Sequence, residues 1–306
     1  MTNMITHIGS INVDYVVHNQ RLPRIGETVF GQTIDVACGG KGAIQIAAAA
    51  RLGARTCFLS MVGGSDSNLQ VIRNDLAWAG VDTSRVGEVP NGLCGYAFVL
   101  IDEQGQNSII IVPGADRFIT PDYIDKNQDC VKNCKVCMTE FMVPMVTCEY
   151  AISMAHRNGA ITIVNPAPVQ AIDNHFYKFI DVLTPNEMEA ADYCGFGIED
   201  EASAQEACQI FHAKGVKNVI ITLGQRGVFV SDGKNMTIID AYPVKAIDTA
   251  GAGDSFNGGL AYALWRGKDI ITAARFGNAT ASVAVQRKGS YRSIPNLNDV
   301  ESIYKL

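Results

Sequence analysis

The chain has 306 residues, 47% hydrophobic and 18% charged, with a formal net charge of -6. These are globular proportions with ample chain for a core, and an acidic balance without a basic run argues against a nucleic-acid partner. No window approaches the roughly 18 uninterrupted apolar residues of a membrane span, and residues 1–10 hold no leader pattern, so a cytoplasmic protein that touches no membrane is expected.

Apolar runs alternate with helical patterns along the chain, which predicts an α/β fold with a mostly parallel sheet. Strands are predicted at 4–8, 56–62, 136–139, 160–164, 182–184, 218–222 and 227–231, and a further strand-like run spans 240–247. Helices are predicted at 43–52, 67–78, 146–157, 187–193, 202–214, 255–265 and 270–285. Two stretches, 12–37 and 95–113, alternate like antiparallel strands and cannot sit in a central parallel sheet. No repeat, low-complexity segment or linker divides residues 1–306, so one domain is expected.

Nine cysteines are scattered through both kinds of element. Reduced thiols in the core account for them, and Cys134 and Cys137, a lone CxxC pair on an apolar run, read as packing rather than a metal or redox site.

Three motifs carry chemistry. Gly39-Gly40-Lys41-Gly42-Ala43 opens an Ala-rich helix, where glycines let backbone N–H groups approach a polar ligand and Lys41 adds a positive charge. The bland alternative is a Gly-rich loop with a solvated lysine. Asn186, Glu187 and Glu189 follow a short buried strand, where open α/β sheets carry ligand groups and where acidic residues can hold magnesium and its waters. An ordinary helix start also favours such residues. Residues 247–256 read Ile-Asp-Thr-Ala-Gly-Ala-Gly-Asp-Ser-Phe. Small residues at a helix N-terminus form an anion hole, and Asp254 stands inside it. A carboxylate there makes sense as a base that takes the proton from an attacking hydroxyl during phosphoryl transfer. A capping role for Asp254 is the alternative. No Gly-Lys-Ser/Thr follows these glycines, and Phe256 replaces the last glycine of a dinucleotide fingerprint.

In this order, Gly9-Ser10-Ile11-Asn12-Val13-Asp14, the Gly39–Ala43 loop, Asn186 to Glu189 and Asp248 to Asp254 resemble the signatures of the ribokinase-like carbohydrate kinases, the PfkB group. The likeness covers essentially the whole chain and is greatest to the ribokinase branch, with Asn165-Pro166-Ala167-Pro168, 222–227 and 285–289 as further landmarks. It implies a three-layer α/β/α fold with a small β lid formed by 12–37 and 95–113. It implies an ATP-dependent sugar kinase acting on a primary hydroxyl of a pentose or related sugar. Asn12, Asp14, Gly40, Lys41 and Glu140 would grip the sugar, and Asp254 with Gly251, Ala252 and Gly253 would form the catalytic centre, aided by the Ala250 amide. ATP would meet Asn186, Thr222, Gly224, Gly227, Gly253 and Asn278, with Mg2+ near Asn186 and Glu189 through water. A monovalent cation, K+, is implied at Asp248, Ala250, Ala284, Arg287, Gly289 and Ser293. An open lid also suggests a homodimer through its apolar face.

One position departs from the pattern. Where ribokinases carry an Asn after Gly-Gly-Lys-Gly-Ala, this chain has Ile44, which would leave substrate hydroxyls unpaired at about 1–3 kcal/mol. A deoxysugar, another pentose or hexose, or a nucleoside then fits as well as ribose. A nucleoside kinase would need a base pocket, to which Ile44 with Tyr96 or Phe98 could contribute. A non-catalytic sugar- or nucleotide-binding regulator would be expected to have lost Asp254.

Overall fold

Residues 5–8, Ile-Thr-His-Ile, are fully buried, as befits a central strand covered on both faces. A computed structural model describes residues 3–104 and 106–306. Met1 and Thr2, in the stretch read for a leader, and Gly105, in the 95–113 stretch, lie outside the described residues.

In chain order the elements are β1 (Ile5–Ile8), β2 (Asn12–His18), β3 (Thr33–Gly39), α1 (Lys41–Arg51), β4 (Thr56–Gly63), α2 (Leu69–Ala79), β5 (Val86–Val89), β6 (Gly95–Ile101) and β7 (Asn107–Val112). Then come α3 (Pro121–Lys126), α4 (Gln128–Asn133), β8 (Val136–Glu140), α5 (Met145–Arg157), β9 (Ile161–Asn165), β10 (Val182–Leu183), α6 (Glu187–Cys194) and α7 (Glu201–Lys214). The chain closes with β11 (Asn218–Thr222), β12 (Val228–Ser231), β13 (Met236–Ile239), α8 (Ala252–Trp265), α9 (Ile270–Ala284) and α10 (Leu297–Glu301).

Nine strands form one sheet in the order β13-β12-β11-β10-β9-β8-β1-β4-β5. It is parallel from β5 to β11, while β12 and β13 run antiparallel at one edge. Strand residues divide by parity between two cores: Ile220 packs with α1, α2, α8 and α9, whereas Val219 and Ile221 pack with α5 and α7. That period-2 division makes the three layers. The chain leaves β1 toward β4 and returns to β8 on its other side, so the carboxyl ends of β1 and β8 flank a topological switch point, where such sheets place ligands.

The two arms expected outside this sheet form a second one, β3-β2-β6-β7. Each arm is an antiparallel pair, and the arms join through a parallel β2–β6 contact. Strands occupy only the two ends of the 12–37 arm. One face leaves Ile34, Val36, Phe98 and Ile110 exposed.

The structure corrects several boundaries. Residues 240–247 are not a strand. Pro243 has no N–H to give a ladder, and the nearby strand is β13. Short β5, α3, α4 and α10 escaped the periodicity reading, which needs longer windows. Helix α1 begins at Lys41 and α8 at Ala252, each a few residues before the predicted start.

Candidate active site

Asn12 and Asp14 lie on β2 where it leaves the switch point, opposite Gly39 and Ala37 of β3. Glycines let these side chains lie flat against backbone. A Cβ on Gly39 would sit 2.1 Å from the Asp14 carboxyl carbon, and one on Gly95 would sit 2.2 Å from Asn12 Oδ1. Asn12 Oδ1 and Asp14 Oδ1 are both buried and accept no hydrogen bond within the protein. Burial, with the charge of Asp254 added, raises the Asp14 carboxyl to about 7. Unmet buried acceptors cost free energy unless a ligand donates to them, which suits them to the hydroxyls of a polyol.

These groups face a cavity of about 720 Å³, lined also by Gly40, Lys41, Ile44, Met142, residues 248–251, Asp254 and Lys288. Ile44, where the resemblance expects an Asn, therefore faces this cavity. Ala97 and Val99 of β6 line the cavity, while Tyr96 and Phe98 point to the opposite face. There Phe98 stacks on Tyr15 with ring centroids 5.6 Å apart. Strand alternation thus removes both aromatics from the base pocket suggested by sequence.

The far wall is the start of α8. Its N-cap is Gly251, at φ 73 and without a side-chain cap. Close packing on Ser290 O, 2.9 Å from where a Cβ would stand, excludes any larger residue. Asp254, in the first turn of α8, is buried and does not cap it; its Oδ1 accepts from Gln45 Nε2 at 2.9 Å. Two of the four amides expected to hold a transferring group are engaged within the loop: Ala250 N donates to Asp248 Oδ1 and Ala252 N to Thr249 O. Lys41 is held protonated, its pKa raised chiefly by Asp254 and further by Glu189 and Glu140.

The positions implied for a monovalent cation gather beside this turn. Asp248 Oδ2 accepts from Gly289 N at 2.9 Å, and Asp248 N donates to Val285 O. Arg287 N donates to Ala284 O, and Ser293 Oγ to Ser290 O. The Arg287 guanidinium pairs with Asp299, so its backbone carbonyl is what it offers a cation.

Asn186 and Glu189 form a reciprocal capping box: Asn186 Oδ1 accepts from Glu189 N, and Glu189 Oε2 accepts from Asn186 N. One oxygen of Glu189 remains for a hydrated metal, and burial raises its pKa. No cluster of three or more metal-ligating side chains exists among the described residues. Thr222 bridges to Asn186. Gly227, at φ 92, could carry no Cβ, which would stand 2.0 Å from Ile239 O, and its carbonyl accepts from Leu223 N to close the loop that includes Gly224. Asn278 Nδ2 donates to Asp240 O. Asn186, Thr222, Gly224, Gly227 and Asn278 lie outside the lining of the cavity that Asp14 and Asp254 face.

Glu140 is held by backbone amides. Its oxygens accept from Ser10 N at 2.6 Å and Met142 N at 2.7 Å, and it does not line the cavity. Two buried peptide donors at the switch point needed an acceptor. Met142, Lys288 and Gln45 were not anticipated; Gln45 looked like helix interior, and only its position beside the Gly39–Ala43 loop hinted at it. All nine cysteines are free, eight of them buried, and none of the described helices is long and apolar enough to cross a membrane.

The chain matches the pfkB family of carbohydrate kinases over residues 2–297. It is 39% identical over 295 residues to the ribokinase of Haemophilus influenzae, covering 96% of each chain. It is 30% identical over 303 residues to the deoxyribokinase of Salmonella typhimurium, covering 99% of each. The structure of Arabidopsis thaliana ribokinase complexed with ribose and ATP superposes with a TM-score of 0.92 at 32% identity, over the full length of both chains.

Proposed function

The chain belongs to the pfkB family of carbohydrate kinases, and from that premise we infer that it is an ATP-dependent pentose kinase. One observation carries the reading: the buried acceptors Asn12 Oδ1 and Asp14 Oδ1, unmet within the protein, face the same cavity as Asp254. Polyol recognition and a base for the attacking hydroxyl thus share one space.

In this reading Asn12 and Asp14 accept from sugar hydroxyls and hold the primary hydroxyl beside Asp254. Asp254 takes its proton as the oxygen forms a bond to the γ-phosphorus of ATP, while the bond from that phosphorus to the bridging oxygen breaks and ADP leaves. The amides of Gly251 and Gly253, at the positive end of α8, meet the charge on the transferring group. Lys41 adds a cation to the same region. The nucleotide lies over Asn186, Thr222, Gly224, Gly227 and Asn278. A magnesium ion bound with ATP supplies charge neutralisation at the phosphates, and Glu189 with Asn186 would meet it through water. Potassium is proposed beside Asp248, with the carbonyls of Ala250, Ala284, Arg287 and Gly289 and with Ser293 as its partners.

Ile44 supports a pentose that presents an apolar edge, such as 2-deoxyribose, over D-ribose. Tyr96 and Phe98 facing away from the cavity weigh against a nucleoside. The exposed apolar face of the lid supports a homodimer through that sheet, and nine free thiols suit the cytoplasm.

An ATP-consumption screen over pentoses, hexoses and nucleosides tests the assignment. Turnover with a pentose, fastest with 2-deoxyribose, is expected. Preference for a nucleoside would replace the substrate class, and no turnover with any compound would make the protein a binding regulator.

A further inference from the structure

Asp254 does not stand alone in the interior. Gln45, fully buried on α1, donates from Nε2 to Asp254 Oδ1 at 2.9 Å and to Asn165 Oδ1 at 3.0 Å. Asn165 Nδ2 donates to Thr184 O, so the atom it turns to Gln45 is its carbonyl oxygen. Both acceptors therefore require the amide nitrogen of Gln45 to face them, which leaves Gln45 Oε1 as an acceptor. His7 Nε2 lies 2.9 Å from that oxygen and must carry the proton. Burial, the largest influence on His7, lowers its pKa to about 4, consistent with a neutral ring whose one proton sits on Nε2.

Close backbone packing makes this reach available. A Cβ on Gly42 would sit 2.6 Å from the backbone of Gly9, and one on Gly258 would sit 2.6 Å from Gln45 O. Glycines thus draw the start of α1 onto the end of β1 and onto α8. The network also returns to the turn itself. Thr184 Oγ1 donates to Asn257 Oδ1 at 2.7 Å, and Asn257 Nδ2 donates to Gly253 O at 2.9 Å.

We propose that His7 and Gln45 are positioning residues for phosphoryl transfer: His7 anchors the Gln45 side-chain oxygen, and Gln45 holds the Asp254 carboxylate in its reactive orientation. The proposal rests on Asp254 being the proton acceptor. Without the His7 donor, the Gln45 oxygen is left unpaired, the side chain is held only through its nitrogen, and the carboxylate it holds moves off line.

Steady-state kinetics with ATP and the best pentose test it, on purified variants of confirmed thermal stability. Gln45→Met should lower kcat by roughly 10- to 100-fold, the scale of a small misplacement of a reacting group, with KM values nearly unchanged. His7→Leu should lower kcat by a smaller factor, and His7→Gln, which restores a donor, should recover most of it. In the Gln45→Met background His7→Leu should cost nothing further, because His7 acts only through Gln45. Wild-type kcat in His7→Leu, no recovery in His7→Gln, or a loss in His7→Leu that multiplies fully with that of Gln45→Met would overturn the proposal. If Gln45→Met does not fold, the His7 pair alone decides. An inactive Asp254→Asn beside fully active His7 and Gln45 variants would refute the positioning role alone, whereas an active Asp254→Asn would remove the base itself.

Discussion

Asp14 and Asp254, on β2 and α8, face one cavity, and the charge of Asp254 adds to burial in raising the Asp14 carboxyl to about 7. Two acids that face one cavity suit the binding of hydroxyls and cost stability when no ligand is present.

That cost has a definite pH window. The unfolded Asp14 titrates near 3.8 and the folded one near 7. Between these values the folded state retains a proton that the unfolded chain has released, so the Asp14 contribution to stability falls as pH rises through the window and levels off above it. Asp14→Asn should therefore stabilise the protein at pH 8 by on the order of 2–4 kcal/mol and change little at pH 4, while raising the KM for the sugar. Denaturant melts at both pH values check this; equal effects at the two would show that Asp14 is not titrating in the window.

Asp254→Asn keeps the shape of the side chain and the Gln45 contact while removing the base. It should lower kcat by about 10²–10⁴-fold and leave nucleotide affinity nearly intact. Stopped-flow turnover beside nucleotide titration separates the two effects. Near-full turnover would reduce Asp254 to a buried network residue.

Ile44→Asn would place an amide where the cavity now has a hydrocarbon. One hydrogen bond to a sugar hydroxyl is worth about 1–3 kcal/mol, so kcat/KM for D-ribose relative to 2-deoxyribose should rise roughly 5- to 150-fold. Measuring both sugars on both proteins tests it. If wild type already uses ribose as well as any other sugar and the variant is no better, Ile44 is a neutral replacement.

Asp248 ties the 249–250 turn to Gly289 through its two carboxylate oxygens. A cation bound among the neighbouring carbonyls would order that turn and sharpen its amide dipoles. Replacing a bulky organic cation with potassium at constant ionic strength should raise kcat several-fold. A flat response would remove the cation from the proposal.

Much of this molecule is legible in its sequence, because the signals are local. Alternating apolar runs and helical patterns read as an α/β fold, and the stretches 12–37 and 95–113 read as arms outside the main sheet. The turn at 247–256 carries its chemistry in ten consecutive residues. Tertiary structure decided what each buried polar group faces. Glu140 answers the amides of Ser10 and Met142, and Gln45 reaches Asp254 from 209 positions away. Tyr96 turns out of the cavity while Ala97 turns in, and the run at 240–247 leaves the sheet at a proline. Periodicity and turn chemistry are properties of neighbouring residues. The partner of a buried donor or acceptor depends on which groups remain unpaired once strands from distant parts of the chain have taken their order.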